Sequence, residues 1–416
     1  MPQWLSLFGG YGIEMEYMVV DRDTLSILPV VDEILRAVAG EYVASTEQDA
    51  LAWSNELVLH VIELKTNGPA AMLEGLPQAL AADVTRLNGL LASMGGRLMP
   101  TAMHPWMDPG RETRLWPHAD NAIYAAYDRI FGCQGHGWSN LQSTHINLPF
   151  ADDEEFERLH AAIRCLLPIL PALAASSPVA EGRCTGWMDT RLQAYRGNAR
   201  KIPSIAGRII PEHAATRAEY ERVILAPMYA DIAPHDPAGV LQHEWLNSRG
   251  AIARFDRHAI EIRLLDIQEC PLADLAIAAA IVAVLQALVA ERWCSLAEQQ
   301  SLAIEALEAV LLDTIRFGDQ AIIRDRRYLG QMGFPDEFAN AGDLWQHVLE
   351  SLHPSPLDPG TPWRAPLAVI LQQGCLARRI RTALDPAVSR ARLREVFGEL
   401  CDCLSAGRLF LGSVAT

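Results

Sequence analysis

Ten residues, Gly12-Ile13-Glu14-Met15-Glu16-Tyr17-Met18-Val19-Val20-Asp21, constrain this chain more than any others. Side chains alternate faces along a β-strand, so Glu14 and Glu16 leave one side while Ile13, Met15 and Tyr17 leave the other. Two carboxylates held this close repel, and a bound cation offsets that cost. The alternation returns in Val61-Ile62-Glu63-Leu64-Lys65-Thr66 and in Ile260-Glu261-Ile262-Arg263-Leu264-Leu265-Asp266. Three such strands imply one sheet whose concave side is acidic and dotted with bases. Metal-assisted chemistry on a phosphorylated ligand is the natural use of that surface.

Charge narrows the field further. The chain of 416 residues carries a formal net charge of −16, which excludes a basic nucleic-acid footprint. Its apolar content of 50% is that of a globular protein with a large core. The eight cysteines have no CxxC spacing, and with no signal peptide evident they read as reduced cytoplasmic thiols. The run from Leu275 to Ala290 is apolar but short for a membrane span, and is predicted to be a buried core helix.

Periodicity predicts strands near 10–20, 56–66 and 141–148, and helices near 29–39 and 73–95. The acids Asp152 to Glu155 open a further helix. Residues 102–119, rich in Pro, Trp, His and Arg, form a long loop of the kind that often carries function. From 271 onward the chain reads as helix, broken at 353–363. The architecture is α+β, an antiparallel sheet with helices behind it and a helical carboxyl-terminal part.

Several residues on these elements have alternative readings. Acids at i and i+2 on a strand are more often a solvated face than a metal site. Glu56 and Glu63 lie an odd number of residues apart, so on one strand they share a face only through a bulge. His145 shares its face with Asn147, and imidazole suits manganese or zinc better than magnesium. Glu261 and Arg263 form either an in-sheet ion pair or a metal ligand beside a phosphate-binding guanidinium. The basic cluster Arg183, Arg191, Arg196, Arg200, Lys201 and Arg208 is either an ordinary loop or a clamp for a carboxylate or phosphate. No GxxxxGK[ST] loop, GxGxxG after a strand, HExxH or GxSxG elbow is present.

Six stretches in order resemble the glutamate–cysteine ligase family, in its bacterial carboxylate–amine ligase branch. They are GIEMEYMVVD, NELVLHVIELKTNGP, HPWMDP with LWPH, LQSTHINLPF, SSPVAEGRCTGWMDTRLQAYRGN and AIEIRLLDIQECPL. The resemblance implies a glutamine synthetase-like fold, a curved antiparallel sheet forming a funnel with helices on its outer face. Residues 1–320 would form that core and 321–416 a helical extension packed on it. It also implies ATP and Mg²⁺ (Mn²⁺ as an alternative), and a γ-glutamyl amide made from glutamate and an amine such as cysteine through an acyl phosphate.

By the same resemblance, Glu14, Glu16, Glu56, Glu63, His145 and Glu261 match metal positions. Arg263, with Glu16, meets ATP, and Arg263 and Glu261 serve catalysis. Arg191, Gln142 and Tyr195 match substrate positions. The spacing of Tyr195 and Asn198 to Arg191 departs from the classical bacterial ligases, which leaves the amine open. Rival readings are phosphoryl transfer to a guanidino group, a metal-dependent hydrolase, and a nucleotide-binding protein without activity. A homo-oligomer has the better base rate, with no nucleic-acid or membrane partner expected.

Overall fold

The computed structural model describes residues 4–119 and 121–412. Its main sheet has eight strands: β1 (Gly12–Asp21), β2 (Ser45–Gln48), β3 (Leu51–Asn55), β4 (Val61–Thr66), β5 (Gly96–Met99), β6 (Ser143–Pro149), β7 (Ala251–Arg254) and β8 (Ala259–Asp266). The order is β2-β3-β4-β1-β6-β8-β7, antiparallel at every pairing. The length of β1 lets it pair with β6 along Gly12–Met15 and with β5 along Met18–Asp21.

The helices that matter for the site are α1 (Val31–Ala39), α2 (Leu76–Ala92), α3 (Asn121–Phe131), α4 (Asp153–Leu166), α5 (Thr190–Tyr195), α6 (Pro271–Val289), α7 (Leu376–Leu384) and α8 (Arg390–Ala406). The odd-numbered face of β1 and its neighbours, with Ile13, Met15, Tyr17, Ile62, Leu64 and Ile146, merges with α1, α2, α4 and α6 in one core. The opposite face carries the polar residues at the Glu14–Glu16 end of β1, and Met18 and Val20 beyond them. Asp152 caps α4 by accepting the Glu155 N–H at 3.0 Å, and three acids in the first turn favour the helix dipole.

Helix α6 is long and apolar enough to cross a membrane by length and composition, and 78% of it is buried inside the molecule. It packs against α2 and α4, and in its first turn Asp274 accepts from Thr144 Oγ1 at 2.6 Å. The segment beyond residue 320 adds to the same body. Leu344, Trp345 and Ile370 join the main core, while Leu376, Ile380, Val396 and Phe397 of α7 and α8 pack on Met18, Val20 and Met99 of β1 and β5.

Two sequence expectations need correction. The strand predicted over 56–66 begins only at Val61, as β4; β3 ends at Asn55, so Glu56 lies in the connection between them. The odd spacing to Glu63 therefore places no limit on their sharing a site. The stretch 102–119 is not structureless: it holds a short helix at Pro109–Glu112, a bridge from Leu115 to Val58, and the buried side chains of Met107 and Trp116.

Three of the buried histidines, His60, His104 and His160, lie away from the strand acids. Burial pulls His60 down to about 4, and His104 and His160 to about 3, against hydrogen bonds that partly oppose it. The His60 and His104 rings donate to the carbonyls of Ser139 and Leu25 at 2.8 and 2.7 Å. A folded pKa below that of the unfolded chain means the folded state binds fewer protons. The stability each neutral ring contributes is therefore present above pH 6.5 and lost as pH falls towards 4 and then 3. Ring NMR signals of these three are expected to stay neutral from pH 8 to 5; titration near pH 6.5 would contradict their burial.

Candidate metal and substrate site

Antiparallel register sorts the polar residues of the open face into three rows. In the first, Glu63 of β4 faces Glu16 of β1, with Ser54 of β3 beyond. In the second, Lys65, Glu14 and His145 follow one another across β4, β1 and β6. In the third, Asn147 lies between Gly12 and Glu261. Directly opposed side chains stand roughly 4.5–5.5 Å apart at Cβ. Pairing alone forces the carboxylates together. Strand β8 shifts register between Ile262 and Leu265, and at this bulge the Arg263 N–H turns to Gly250 O at 2.9 Å.

A chain of hydrogen bonds ties the rows. Ser143 donates to Glu16 Oε2 from its N–H at 2.7 Å and its hydroxyl at 3.0 Å. Having spent its proton on Glu16, the hydroxyl accepts from His145 Nε2 at 2.9 Å, while Nδ1 donates to Glu14 Oε2 at 3.0 Å. The ring thus carries both protons. Burial works against that charge, but Glu14, Glu16 and Glu261 raise His145 to about 9. Burial would likewise raise Glu14, yet the His145 hydrogen bond and charge hold it well below the usual carboxylate range. Burial and the Glu14 charge push Glu63 up to about 7, and burial with Glu16 and Glu63 pushes Glu56 well above its ordinary value.

Protonated acids and an imidazolium are how so dense a cluster lowers its own charge. A divalent cation does the same without the protons. Ligand atoms of Glu14, Glu63 and His145 lie within 4.8 Å of one another, close enough for one ion. The buried Asn147 Oδ1 has no partner among the described residues. An oxygen-rich set with one imidazole fits Mg²⁺ or, better, Mn²⁺. On the far side Glu261 Oε1 pairs with Arg263 at 2.8 Å, and Arg254 lies 3.6 Å from its other oxygen.

Two cavities flank the rows. One of about 300 Å³ meets Glu16, Glu56, His145 and Arg263, and is walled by Tyr127, Trp138 and Trp245, whose rings pack 5.2 and 6.1 Å apart about Tyr127. The other, about 480 Å³, lies at the opposite strand ends and meets Glu14, Lys65, Asn147 and Arg257. A cavity of about 530 Å³ among Cys184, Arg378 and Arg381 contains no member of the cluster, so volume does not choose the site.

The comparison with known proteins decides the family. Residues 11–327 match the model of glutamate-cysteine ligase family 2. The chain belongs to that family. An uncharacterized protein of Archaeoglobus fulgidus is 32% identical over 96% of this chain and its own full length. A Rubrobacter xylanophilus protein, provisionally named glutamate–cysteine ligase 2-3, is 27% identical over 56% of this chain and 61% of its own. Among solved structures, a glutamate–cysteine ligase of Francisella tularensis in complex with AMP superposes with a TM-score of 0.57 at 12% identity, covering 94% of this chain and 88% of that one. A bifunctional glutathione synthetase of Pasteurella multocida gives 0.50 at 14% identity, over 96% of this chain and 52% of that one. The expected fold, an antiparallel sheet backed by helices, is the fold of this ligase family.

Within this glutamate-cysteine ligase family 2 protein, the sequence-derived residues divide clearly. Glu14, Glu16, Glu63, His145, Glu261 and Arg263 share the open face, and Glu56 reaches it from the β3–β4 connection. Arg191 and Tyr195 of α5 line the aromatic cavity. Of the basic cluster, Arg191 alone lines that cavity among the described residues. Arg183 pairs with Glu181, Arg208 with Glu308, and Lys201 bonds Ile130 O. Gln142 does not join them. Its flanking residues Leu141 and Ser143 line the cavity, while its own side-chain amide is buried without a partner among the described residues. Sequence reasoning missed Ser143, Lys65 and the aromatic walls. The first two share parity with His145 and Glu63, a signal that was there to read.

Proposed function

We propose that this protein is an ATP-dependent carboxylate–amine ligase. It would activate the side-chain carboxyl of glutamate, or a similar acid, as an acyl phosphate and pass the acyl group to an amine such as cysteine. The observation that carries this reading is the row of strand carboxylates with Arg263, set between two cavities. A hydrolase needs no second cavity and no arginine at the boundary.

The roles follow from charge. A carboxylate attacks a triphosphate only after the negative charge on that triphosphate is neutralised. Glu14, Glu16, Glu56, Glu63, His145 and Glu261 would hold the divalent ions, which supply charge stabilisation to the transferring phosphoryl group. Arg263 adds a fixed guanidinium at the same boundary. Arg191 and Tyr195 would receive the acid substrate, and the walls of Tyr127, Trp138 and Trp245 would keep water from the acyl phosphate until the amine attacks. No nucleophilic side chain is required.

The acyl phosphate is tested with glutamate labelled with ¹⁸O in its side-chain carboxylate. Attack on the γ-phosphorus makes a labelled oxygen the bridge, and the amine's attack at carbon expels it with phosphate. One ¹⁸O in the inorganic phosphate per amide formed is the expected result. Amide formed with unlabelled phosphate would exclude this route.

A further inference from the structure

We infer that the Lys65 ammonium is a built-in counter-cation, standing between Glu14 and Glu63 in place of one divalent ion. The inference rests on the reading of the strand acids as metal ligands. Register sets Lys65 directly across from Glu14, and its Nζ donates to Glu63 Oε2. The same oxygen accepts the Ser54 hydroxyl at 2.6 Å, so two donors fill it. Glu14 and Glu63, with His145, are also the one set of three donors among the described residues whose ligand atoms converge. Lys65 therefore takes one oxygen of Glu63 beside the point where these donors converge, so that fewer ions fit among the carboxylates than the acids alone would hold. An ammonium has no lone pair to offer a metal, so it excludes an ion by charge and space rather than joining its ligand shell.

The charge balance agrees. Five carboxylates, Glu14, Glu16, Glu56, Glu63 and Glu261, face Lys65 and Arg263, with Arg254 shared between Glu261, Asp256 and Glu244. The acids outnumber the cations beside them, and a divalent ion offsets that excess when His145 is neutral. Removing the Lys65 charge enlarges the excess by one and returns Glu63 Oε2 to the ligand set. The side chain is 34% exposed and borders the second cavity, so a neutral replacement has room without repacking the core.

The test counts Mn²⁺ bound per chain by electron paramagnetic resonance, on the full-length protein with Mn²⁺ alone. Lys65→Met is expected to bind one more Mn²⁺ than the wild type, and Lys65→Arg the same number. Lys65→Gln, which keeps a polar side chain at this half-open position, gives the same reading if circular dichroism shows Lys65→Met unfolded. Equal, non-zero counts in wild type and the neutral variants would overturn the role of Lys65 and leave the metal site standing. No Mn²⁺ bound by any form would overturn both.

Discussion

Arg263→Ala is expected to lower kcat by about a thousand-fold while leaving Mn²⁺ binding intact. Fixed positive groups at a developing phosphoryl charge are worth roughly 10²–10³ in rate in enzymes of many kinds, and more where an arginine meets a transferring phosphoryl group. Arg263 is placed for such a role by the β8 bulge, which presents it towards the aromatic cavity with its side chain anchored on Glu261. Removing it leaves Glu261 with Arg254 at 3.6 Å, so the acid keeps one cation and the sheet keeps its pairing. A pure ion-pair role predicts a different pattern, in which stability falls and kcat per folded molecule holds. Steady-state kinetics beside a thermal melt separate the two. Lysine at 263 restores the charge but not the paired N–H geometry, and is expected to recover only part of the rate.

The second large effect lies one layer out. Arg191 enters the cavity with two of its three nitrogens already engaged: Nε donates to Asp266 at 2.5 Å and Nη2 to Leu264 O at 2.6 Å. Asp266 is itself held by the Ser176 N–H and the Ser177 hydroxyl, both at 2.8 Å. All of this is buried. Burial lowers the Arg191 pKa, but the Asp266 and Asp189 charges win and raise it, so the guanidinium stays charged. Asp266→Ala leaves that charge without its partner in a dry site, a loss of about 3–5 kcal/mol for a buried pair broken on one side. The denaturant midpoint is expected to fall accordingly at unchanged slope. The KM for the acid substrate is expected to rise, because a released Arg191 is no longer aimed into the cavity. An unfolding free energy within about 0.5 kcal/mol of the wild type would show that Asp266 does not hold Arg191.

How far the chain could be read in advance follows from the range of each signal. The alternation in β1, β4 and β8 is local, and it located Glu14, Glu16, Glu63, Glu261 and Arg263 on one face before any pairing was known. Register was not local. That Glu14 meets both Lys65 and His145 follows from three strands far apart in sequence. Glu56 was misread for a related reason: the apolar run Leu57–Leu59, nearly continuous with Val61 and Ile62, hid the break between β3 and β4. Gln142 shows the limit of matching a motif by position: it precedes β6, and its neighbours Leu141 and Ser143 line the cavity while it does not. The walls of the cavity come from α3, the turn at 136–139 and the 244–246 turn, joined only by tertiary packing. No spacing in the sequence announces them.

The most direct test of the ligase reading is ADP release by the purified protein with Mg²⁺-ATP, L-glutamate and a panel of amines that includes cysteine. The expected result is ADP that forms only when acid, amine and divalent ion are all present, with the best amine naming the acceptor. ATP that neither binds nor turns over in the presence of Mg²⁺ would contradict it, and would mean that the carboxylate rows of β1, β4, β6 and β8 serve another chemistry.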